Sequence, residues 1–160
     1  MALAATYAGL AFTRANVGYV HAIAHQLGGR YHVPHGLANA ILLPVVLAYL
    51  QPAVTAKLAV LAVHAGVGRE GERAAVLAGR FVESVVALNR SLHIPAYVDA
   101  LEAADIPELA KEACWEADTN YPVPRYMSPA TCARLLRKVL PAGRATRRAG
   151  ARSGPARSRA

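Results

Sequence analysis

Cysteine, aromatic and charged residues are all scarce in this chain of 160 residues. It has two cysteines, one tryptophan and two phenylalanines, and charged residues make up 18%. Cys114 and Cys132 lie far apart and form no CxxC pair, which excludes a disulfide framework and a cysteine metal site and is typical of a reducing cytoplasm. Hydrophobic residues make up 54%, which excludes a disordered protein over most of the length. A core with few aromatic residues must be aliphatic, and the abundance of Ala and Leu, both strong helix formers, favours an all-α fold.

Acidic residues are absent from the C-terminal end of the chain. Residues 143–160 contain six arginines and no Asp or Glu, so removing these six charges from the formal net charge of +8 leaves +2 for residues 1–142. This end also has almost no large apolar side chain, and it therefore cannot offset the entropy cost of ordering. The sequence predicts a helical domain over residues 1–142, followed by a disordered, arginine-rich tail over residues 143–160.

The sequence also lacks a clear membrane-spanning segment and a secretion signal. The longest apolar run, residues 37–50, is too short to span a bilayer and contains Asn39 and Pro44. The apolar N-terminal residues have no positively charged leader before them. We therefore expect a cytoplasmic protein without a membrane partner.

Apolar periodicity, capping residues and prolines predict helices throughout residues 1–142. The predicted helices cover residues 3–12, 18–27, 35–50, 52–65, 71–91, 97–103, 105–117 and 128–140. Gly28-Gly29 is expected to end the second of these helices, and Pro44 is expected to kink the third or to end its first half. Ser128 and Asp105 are typical N-cap residues. No alternating strand pattern is longer than a few residues, so the predicted body is a helical bundle.

Four of the six histidines fall within fifteen residues, in the segment GYVHAIAHQLGGRYHVPHGLANAILLP. His21 and His25 are four residues apart on a predicted helix, so they share one face with Cβ atoms about 6 Å apart. Neutral imidazole is a common ligand of divalent transition metals, but on this spacing alone two histidines on a polar helix face are the better interpretation. His35 strengthens the metal interpretation, because it lies at the predicted start of the next helix and glycines on both sides of the loop permit it to fold back towards the first two. The remaining histidines are expected to be solvated or structural: His32, His64 and His93.

The same segment resembles the C-terminal signature of the iron-containing (group III) alcohol dehydrogenases. The resemblance begins before it, in ATYAGLAFTRANVG, and continues after it, in SLHIPAYVDALEAADIPELAKEA and TNYPVPRYMSPATCARLLRKVL. It covers roughly residues 4–140. It implies the all-helical C-terminal domain of a dehydroquinate synthase-like fold, which packs against an N-terminal nucleotide-binding domain with the active site in the cleft between them.

The resemblance also implies roles for three histidines. A divalent metal, usually iron and sometimes zinc, polarises the oxygen of a small alcohol or aldehyde while NAD(P) exchanges a hydride. The metal of the family has four protein ligands: an Asp and a His from an upstream DxxxH-type helix, and two histidines that match His21 and His35. The histidine that matches His25 lies near the nicotinamide and the substrate, where it relays a proton or positions the reactants. This assignment differs from the helical spacing, which pairs His21 with His25.

Several features of the family are absent from the sequence. It has no DxxxH segment, no GxGxxG or GGGS-like phosphate loop, and no strand–helix alternation for binding a dinucleotide. We therefore expect a fragment of a dehydrogenase (a truncated reading frame, a pseudogene-like product or half of a split enzyme), which is inactive alone. It would bind NAD(P) only together with the missing N-terminal domain, which in a split enzyme lies on another chain. Apolar faces around Leu10, Phe12 and Ile23 are expected to be exposed and to cause self-association.

Two other functions remain as alternatives. One is a glycerol-dehydrogenase-like or maleylacetate-reductase-like oxidoreductase fragment of the wider family, although the wording GYVHAIAHQLGG favours the alcohol dehydrogenases proper. The other is a non-catalytic helical interaction module whose basic tail contacts acidic surfaces. Arginines in a tail bind nucleic acid non-specifically through phosphates, but no aromatic residue is interleaved to stack on bases, so the sequence does not favour a nucleic-acid partner.

Overall fold

The structure, a computed structural model, describes residues 1–144 and consists of helices joined by loops. The helices are α1 (Ala2–Phe12), α2 (Tyr19–Tyr31), α3 (His35–His64), α4 (Ala74–Ser91), α5 (Ile106–Asn120) and α6 (Pro129–Lys138), followed by a 3₁₀ turn, Ala142–Arg144. No strand occurs within residues 1–144, and the prediction of an all-α fold is confirmed. All but the first two residues of the predicted disordered tail lie outside the described residues.

Helix α2 is longer than the sequence predicts. Gly28-Gly29 lies inside it, and the helix ends only at His32, which has left-handed dihedral angles of φ 56° and ψ 30° and donates its N–H to the Gly28 carbonyl at 2.9 Å. The left-handed conformation that glycine commonly adopts after a helix is here adopted by a histidine. Pro34 then flanks the start of α3, where its fixed φ angle is well tolerated. Residues 32–34 are therefore the whole connection between α2 and α3.

Helix α3 continues through Pro44 and bends further along. Its backbone leaves the helical region at Val54, where φ is −127° and ψ is 21°. Because a proline removes a helix hydrogen bond and crowds the preceding turn, a break near proline was expected, but it follows Pro52 instead of Pro44. The two helices predicted over residues 35–50 and 52–65 thus form one bent helix.

By length and composition alone, α3 is long and apolar enough to cross a membrane. The sequence prediction considered only the shorter apolar run at residues 37–50. In this structure α3 packs along α2 and α4 and is bent at Val54. We interpret it as the central helix of the bundle.

The main hydrophobic core lies between α2, the first half of α3, α5 and α6. Its largest fully buried side chains include Tyr19, Ile23, Leu27, Leu42, Leu109 and Leu136. A second, smaller cluster joins the other half of α3 to α4 through Ala59, Ala62 and Leu77. The main core therefore supports the end of the bundle where α2 meets the start of α3.

The segment between α4 and α5 folds as turns, so the prediction of a helix over residues 97–103 was wrong. The N–H of Val98 donates to the Val139 carbonyl at 2.8 Å, and the N–H of Glu102 donates to the Tyr31 hydroxyl at 3.2 Å. These backbone donors are satisfied by distant parts of the fold instead of by a helix. Val98 is buried, which anchors the segment on the main core.

Helix α1 has no buried residue and makes no close backbone contact with another described helix. Leu10 is 68% exposed and Phe12 is 47% exposed, which confirms the apolar surface predicted around these two residues. The prediction was wrong for Ile23, which is completely buried, because it lies on the side of α2 that belongs to the main core.

Candidate functional site

Helix α2 and the start of α3 bring three histidine rings together. His21 and His25 lie one turn apart on α2, and His35 is the first residue of α3. The ring centroid of His35 is 5.3 Å from that of His21 and 5.4 Å from that of His25, and the centroids of His21 and His25 are 6.0 Å apart. The three rings therefore converge, although the chain turns at His32 and not at the glycines.

The other histidines do not join this cluster. His32 ends α2 in the left-handed conformation, His64 is the last residue of α3, and His93 follows α4 with a φ of 56°. All three are exposed. The histidine cluster is therefore defined as His21, His25 and His35.

Asn39 lies one turn after His35 and binds it twice. Its side-chain amide nitrogen donates to the His35 carbonyl at 2.9 Å and lies 3.1 Å from Nε2 of the His35 ring. Because an amide nitrogen only donates, Nε2 of His35 accepts and carries a lone pair. The Asn39 Oδ1 atom is buried and has no hydrogen-bond partner. Asn39 thus fixes the orientation of the His35 ring, and the lone pair of Nε2 is engaged in this hydrogen bond.

Burial favours the neutral form of His21. It lowers the pKa of His21 below the ordinary value of 6.5, and the nearby His35 and His25 lower this pKa further, whereas Glu116 acts in the opposite direction. The lowered pKa therefore favours the neutral His21 ring, in which one nitrogen carries a lone pair.

A carboxylate from α5 contacts the third ring. Oε1 of Glu116 lies 2.6 Å from Nδ1 of His25. The same carboxylate accepts a hydrogen bond from the Tyr121 hydroxyl at 2.7 Å and another from Nε2 of Gln26 at 2.8 Å. Sequence reasoning missed Glu116, because 91 residues separate it from His25 and no local spacing links them. Only the packing of α5 against α2 brings the two side chains together.

An apolar pocket opens beside the histidine cluster. It has a volume of about 480 Å³, and its wall is formed by side chains that include Phe12, Val17, His21, Asn39 and Leu43. Small-molecule sites commonly combine an apolar wall with a few polar groups. The pocket therefore suits a small, largely apolar ligand with a polar group near His21.

The chemistry of the cluster fits a divalent transition metal, but the number of ligands does not complete a site. Two imidazoles that share a tetrahedral zinc ion have ring centroids about 5 Å apart, close to the 5.3 Å between His21 and His35. Structural and catalytic zinc centres use three or four protein ligands. Within residues 1–144, no group of three or more His, Cys, Asp or Glu side chains is arranged to hold an ion. The described residues thus fit part of a metal centre.

The structure thus combines an all-α bundle with three converging imidazoles beside an apolar pocket. Residues 1–140 match the model of the Fe-containing alcohol dehydrogenase family, C-terminal. The chain belongs to this family, as its central histidine segment indicates.

The similar proteins are longer dehydrogenases, and the chain matches only part of each of them. The chain is 42% identical over 115 residues to 1,3-propanediol dehydrogenase of Citrobacter freundii, and this match covers 71% of this chain and 30% of that protein. It is 40% identical over 121 residues to alcohol dehydrogenase 4 of Saccharomyces cerevisiae, with coverages of 73% and 30%. A crystal structure of 1,3-propanediol oxidoreductase superposes with a TM-score of 0.76 and 36% identity, and the match covers 83% of this chain and 35% of that chain. The chain thus spans about a third of the length of these relatives.

Proposed function

We propose that this chain forms the helical side of an alcohol dehydrogenase active site, which interconverts small alcohols and aldehydes with a divalent metal and NAD(P). The observation that carries the proposal is the convergence of three imidazoles beside an apolar pocket, in a chain that belongs to the iron-containing family. The names of the relatives, which include a 1,3-propanediol dehydrogenase, support a small alcohol as the class of substrate.

In this proposal, His21 and His35 are the metal ligands that this chain supplies. Burial lowers the pKa of His21, which favours the neutral form that binds metals, and a metal bound to Nε2 of His35 would replace the hydrogen bond that this nitrogen accepts from Asn39. The metal, iron or zinc, would act as a Lewis acid that lowers the pKa of the alcohol. The family resemblance implies that the other two ligands are an Asp and a His on an upstream DxxxH-type helix, and the 160 residues contain no DxxxH segment.

His25 is the proposed proton-transfer residue, on the side of the site that faces the nicotinamide. Its side chain is 41% exposed, so it can exchange protons with solvent. During alcohol oxidation it accepts the proton of the hydroxyl group, and during aldehyde reduction it returns a proton.

The apolar pocket is proposed to hold the carbon skeleton of the substrate. Phe12, Val17 and Leu43 contribute apolar surface to it, and His21 is part of its wall. An alcohol whose carbon atoms fill this pocket has its hydroxyl group near the imidazoles. The pocket would therefore orient the reacting oxygen towards the histidine cluster.

The proposed partner of this helical side is the nucleotide-binding domain that the resemblance implies. NAD(P) binding is assigned to that domain, on a second chain in the case of a split enzyme. The proposed compartment is the cytoplasm, in keeping with Cys114 and Cys132, which are both buried free thiols.

A metal titration of the chain tests the ligand assignment. Calorimetry with Zn²⁺, and with Fe²⁺ under anaerobic conditions, should detect weak binding, because two imidazoles are fewer ligands than tight centres have. Binding should weaken as the pH falls below about 6.5, the ordinary imidazole pKa, because only neutral histidine ligates and the pKa of His21 is lowered from that value. His21→Ala and His35→Ala should abolish binding, whereas His25→Ala should nearly retain it.

The exposed His64 provides the matched control, because His64→Ala removes an imidazole of α3 outside the cluster and should leave binding unchanged. Loss of binding in His21→Ala and His25→Ala, with retention in His35→Ala, would favour a simple HxxxH site and overturn the assignment. Equal retention in all variants would place the metal elsewhere on the chain.

A further inference from the structure

The carboxylate of Glu116 collects three hydrogen bonds from two parts of the fold. Its Oε1 atom contacts Nδ1 of His25 at 2.6 Å and accepts from the Tyr121 hydroxyl at 2.7 Å, and its Oε2 atom accepts from Nε2 of Gln26 at 2.8 Å. The Glu116 side chain is 19% exposed. Gln26 belongs to α2, and Tyr121 directly follows α5. Each carboxylate oxygen of Glu116 therefore accepts a hydrogen bond from a residue other than His25.

These contacts determine which nitrogen of His25 carries a proton. An ionised carboxylate only accepts hydrogen bonds. Burial and the hydrogen bond to Glu116 raise the pKa of Tyr121 to about 12, so the tyrosine keeps its proton and is the donor in its own contact. The 2.6 Å contact between Glu116 and Nδ1 of His25 therefore requires a proton on Nδ1. In the neutral ring, Nε2 is then the nitrogen with the lone pair.

The His25 ring also packs against the other two rings of the histidine cluster. The His25 ring stacks on His35 with an angle of 22° between their planes, and it lies edge-on to His21 at 75°. With Nδ1 bonded to Glu116, Nε2 is the one ring nitrogen of His25 that is free to exchange a proton with a ligand of the site.

We propose that Glu116 is a positioning residue for His25, which fixes the Nδ1–H tautomer and the ring orientation, and that Gln26 and Tyr121 hold Glu116 in place. A neutral His25 then presents a basic Nε2, as a proton acceptor for alcohol oxidation requires. The catalytic meaning of this inference rests on the proposed function, but the tautomer is a property of the metal-free chain.

The test is a nuclear magnetic resonance measurement of the histidine nitrogens in the ¹⁵N-labelled, metal-free chain. Near pH ~8, above the ordinary histidine pKa, long-range proton–nitrogen correlations should show Nδ1 of His25 protonated and Nε2 unprotonated. In Glu116→Gln, the amide can turn either its oxygen or its NH₂ group to the ring, so the nitrogen shifts of His25 should move towards a mixture of tautomers. Solid-state spectra give the same readout if the chain associates.

Glu112→Gln is the matched control, since Glu112 lies one turn earlier on the same helix and is exposed. It should leave the His25 signals unchanged, and the far-UV circular dichroism of each variant reports whether it is folded. An Nε2–H tautomer in the unaltered chain would overturn the proposal without any variant. Unchanged His25 shifts in folded Glu116→Gln would also overturn it.

These outcomes are separate from those of the metal titration. A chain that binds no metal but shows the Nδ1–H tautomer would contradict the proposed function and leave the role of Glu116 on the ring intact. Metal binding together with an Nε2–H tautomer would support the proposed function and contradict the role of Glu116.

Discussion

At the scale of single residues, the hydroxyl group of Tyr19 connects three parts of the fold. It donates to Oδ1 of Asp118 at 2.6 Å and accepts the N–H of Met127 at 2.8 Å. Tyr19 and Met127 are each 1% exposed, so water does not replace the bond between them. Because Tyr19 begins α2 two residues before His21, this hydroxyl group also fixes the part of the helix that carries the cluster.

Replacing Tyr19 by phenylalanine should destabilise the fold measurably. Tyr19→Phe leaves the buried N–H of Met127 without an acceptor, and we expect the free energy of unfolding to fall by about 1–3 kcal/mol. Denaturant-induced unfolding measures this change. Tyr7→Phe is the control, because Tyr7 is 66% exposed and its change should stay within about 0.5 kcal/mol. Equal losses in the two variants would contradict the role given to the buried hydroxyl group.

The convergence of the imidazoles could be anticipated from the sequence, whereas their partners could not. Helical spacing links His21 with His25, and a short loop links both with His35, so local pattern was sufficient. Glu116 reaches the cluster only because α5 packs on α2, and a single sequence contains no signal of that contact. The predicted roles of the three rings came from the family resemblance, which assigns His21 and His35 to the metal. The helical spacing alone pairs His21 with His25.

At the scale of elements, α3 has different partners along its length. Its first half belongs to the main core with α2, where Asn89 of α4 also donates to the Ala40 carbonyl at 2.7 Å. Its second half forms the smaller apolar cluster with α4 through Ala59, Ala62 and Leu77. The bend at Val54 lies between these two halves. Fewer buried side chains hold α4 than hold α5 or α6, and regions with few buried contacts open at lower cost.

Truncating Leu77 should loosen α4 without loosening the rest of the bundle. Leucine-to-alanine changes in cores cost about 2–5 kcal/mol, and for Leu77→Ala we expect this cost to appear as faster amide hydrogen exchange in α4, with α2 and α5 unaffected. Leu136→Ala is the comparison, because Leu136 is completely buried in the main core, and it should reduce protection throughout residues 19–138. The same uniform loss from Leu77→Ala would show that α4 does not open separately.

Asp105 explains why the end of α2 and the capping of α5 differ from their predictions. Predicted as the N-cap of α5, it makes no capping hydrogen bond with its side chain, and its carboxylate instead accepts from the Tyr31 hydroxyl at 2.6 Å and pairs with Arg30 at 2.9 Å. These contacts hold the last turn of α2, which continues past Gly28-Gly29. Both departures come from tertiary contacts, whereas Ser128, whose capping bond is local, caps α6 as predicted.

At the scale of the whole molecule, the apolar surface of α1 is uncovered. Leu3 is 71% exposed and Leu10 is 68% exposed, on a helix with no buried residue. Contiguous apolar surface of this kind favours association. The family match includes this helix, and in the proposed enzyme the nucleotide-binding domain is the candidate to cover it.

We therefore expect the 160-residue chain to self-associate and to bind a hydrophobic dye. Replacing both Leu3 and Leu10 by glutamine should shift the chain towards the monomer, as measured by size-exclusion chromatography with light scattering. The same change should reduce the fluorescence of the bound dye. Leu88→Gln serves as the control, since Leu88 is 56% exposed on α4 and lies outside the α1 surface. A monomeric chain that binds no dye would refute the expectation, as would an equal effect from Leu88→Gln.

The connection of three residues between α2 and α3 sets the rotational phase of one helix relative to the other. Each residue of an α-helix advances the chain by about 100° around the axis and 1.5 Å along it. One residue inserted into residues 32–34, if it extended α3, would turn His35 by about that angle and carry its ring away from His21 and His25. The length of this connection is thus as much a determinant of the site as the imidazoles themselves, and an insertion or deletion there would disable the cluster while every histidine remained in the sequence.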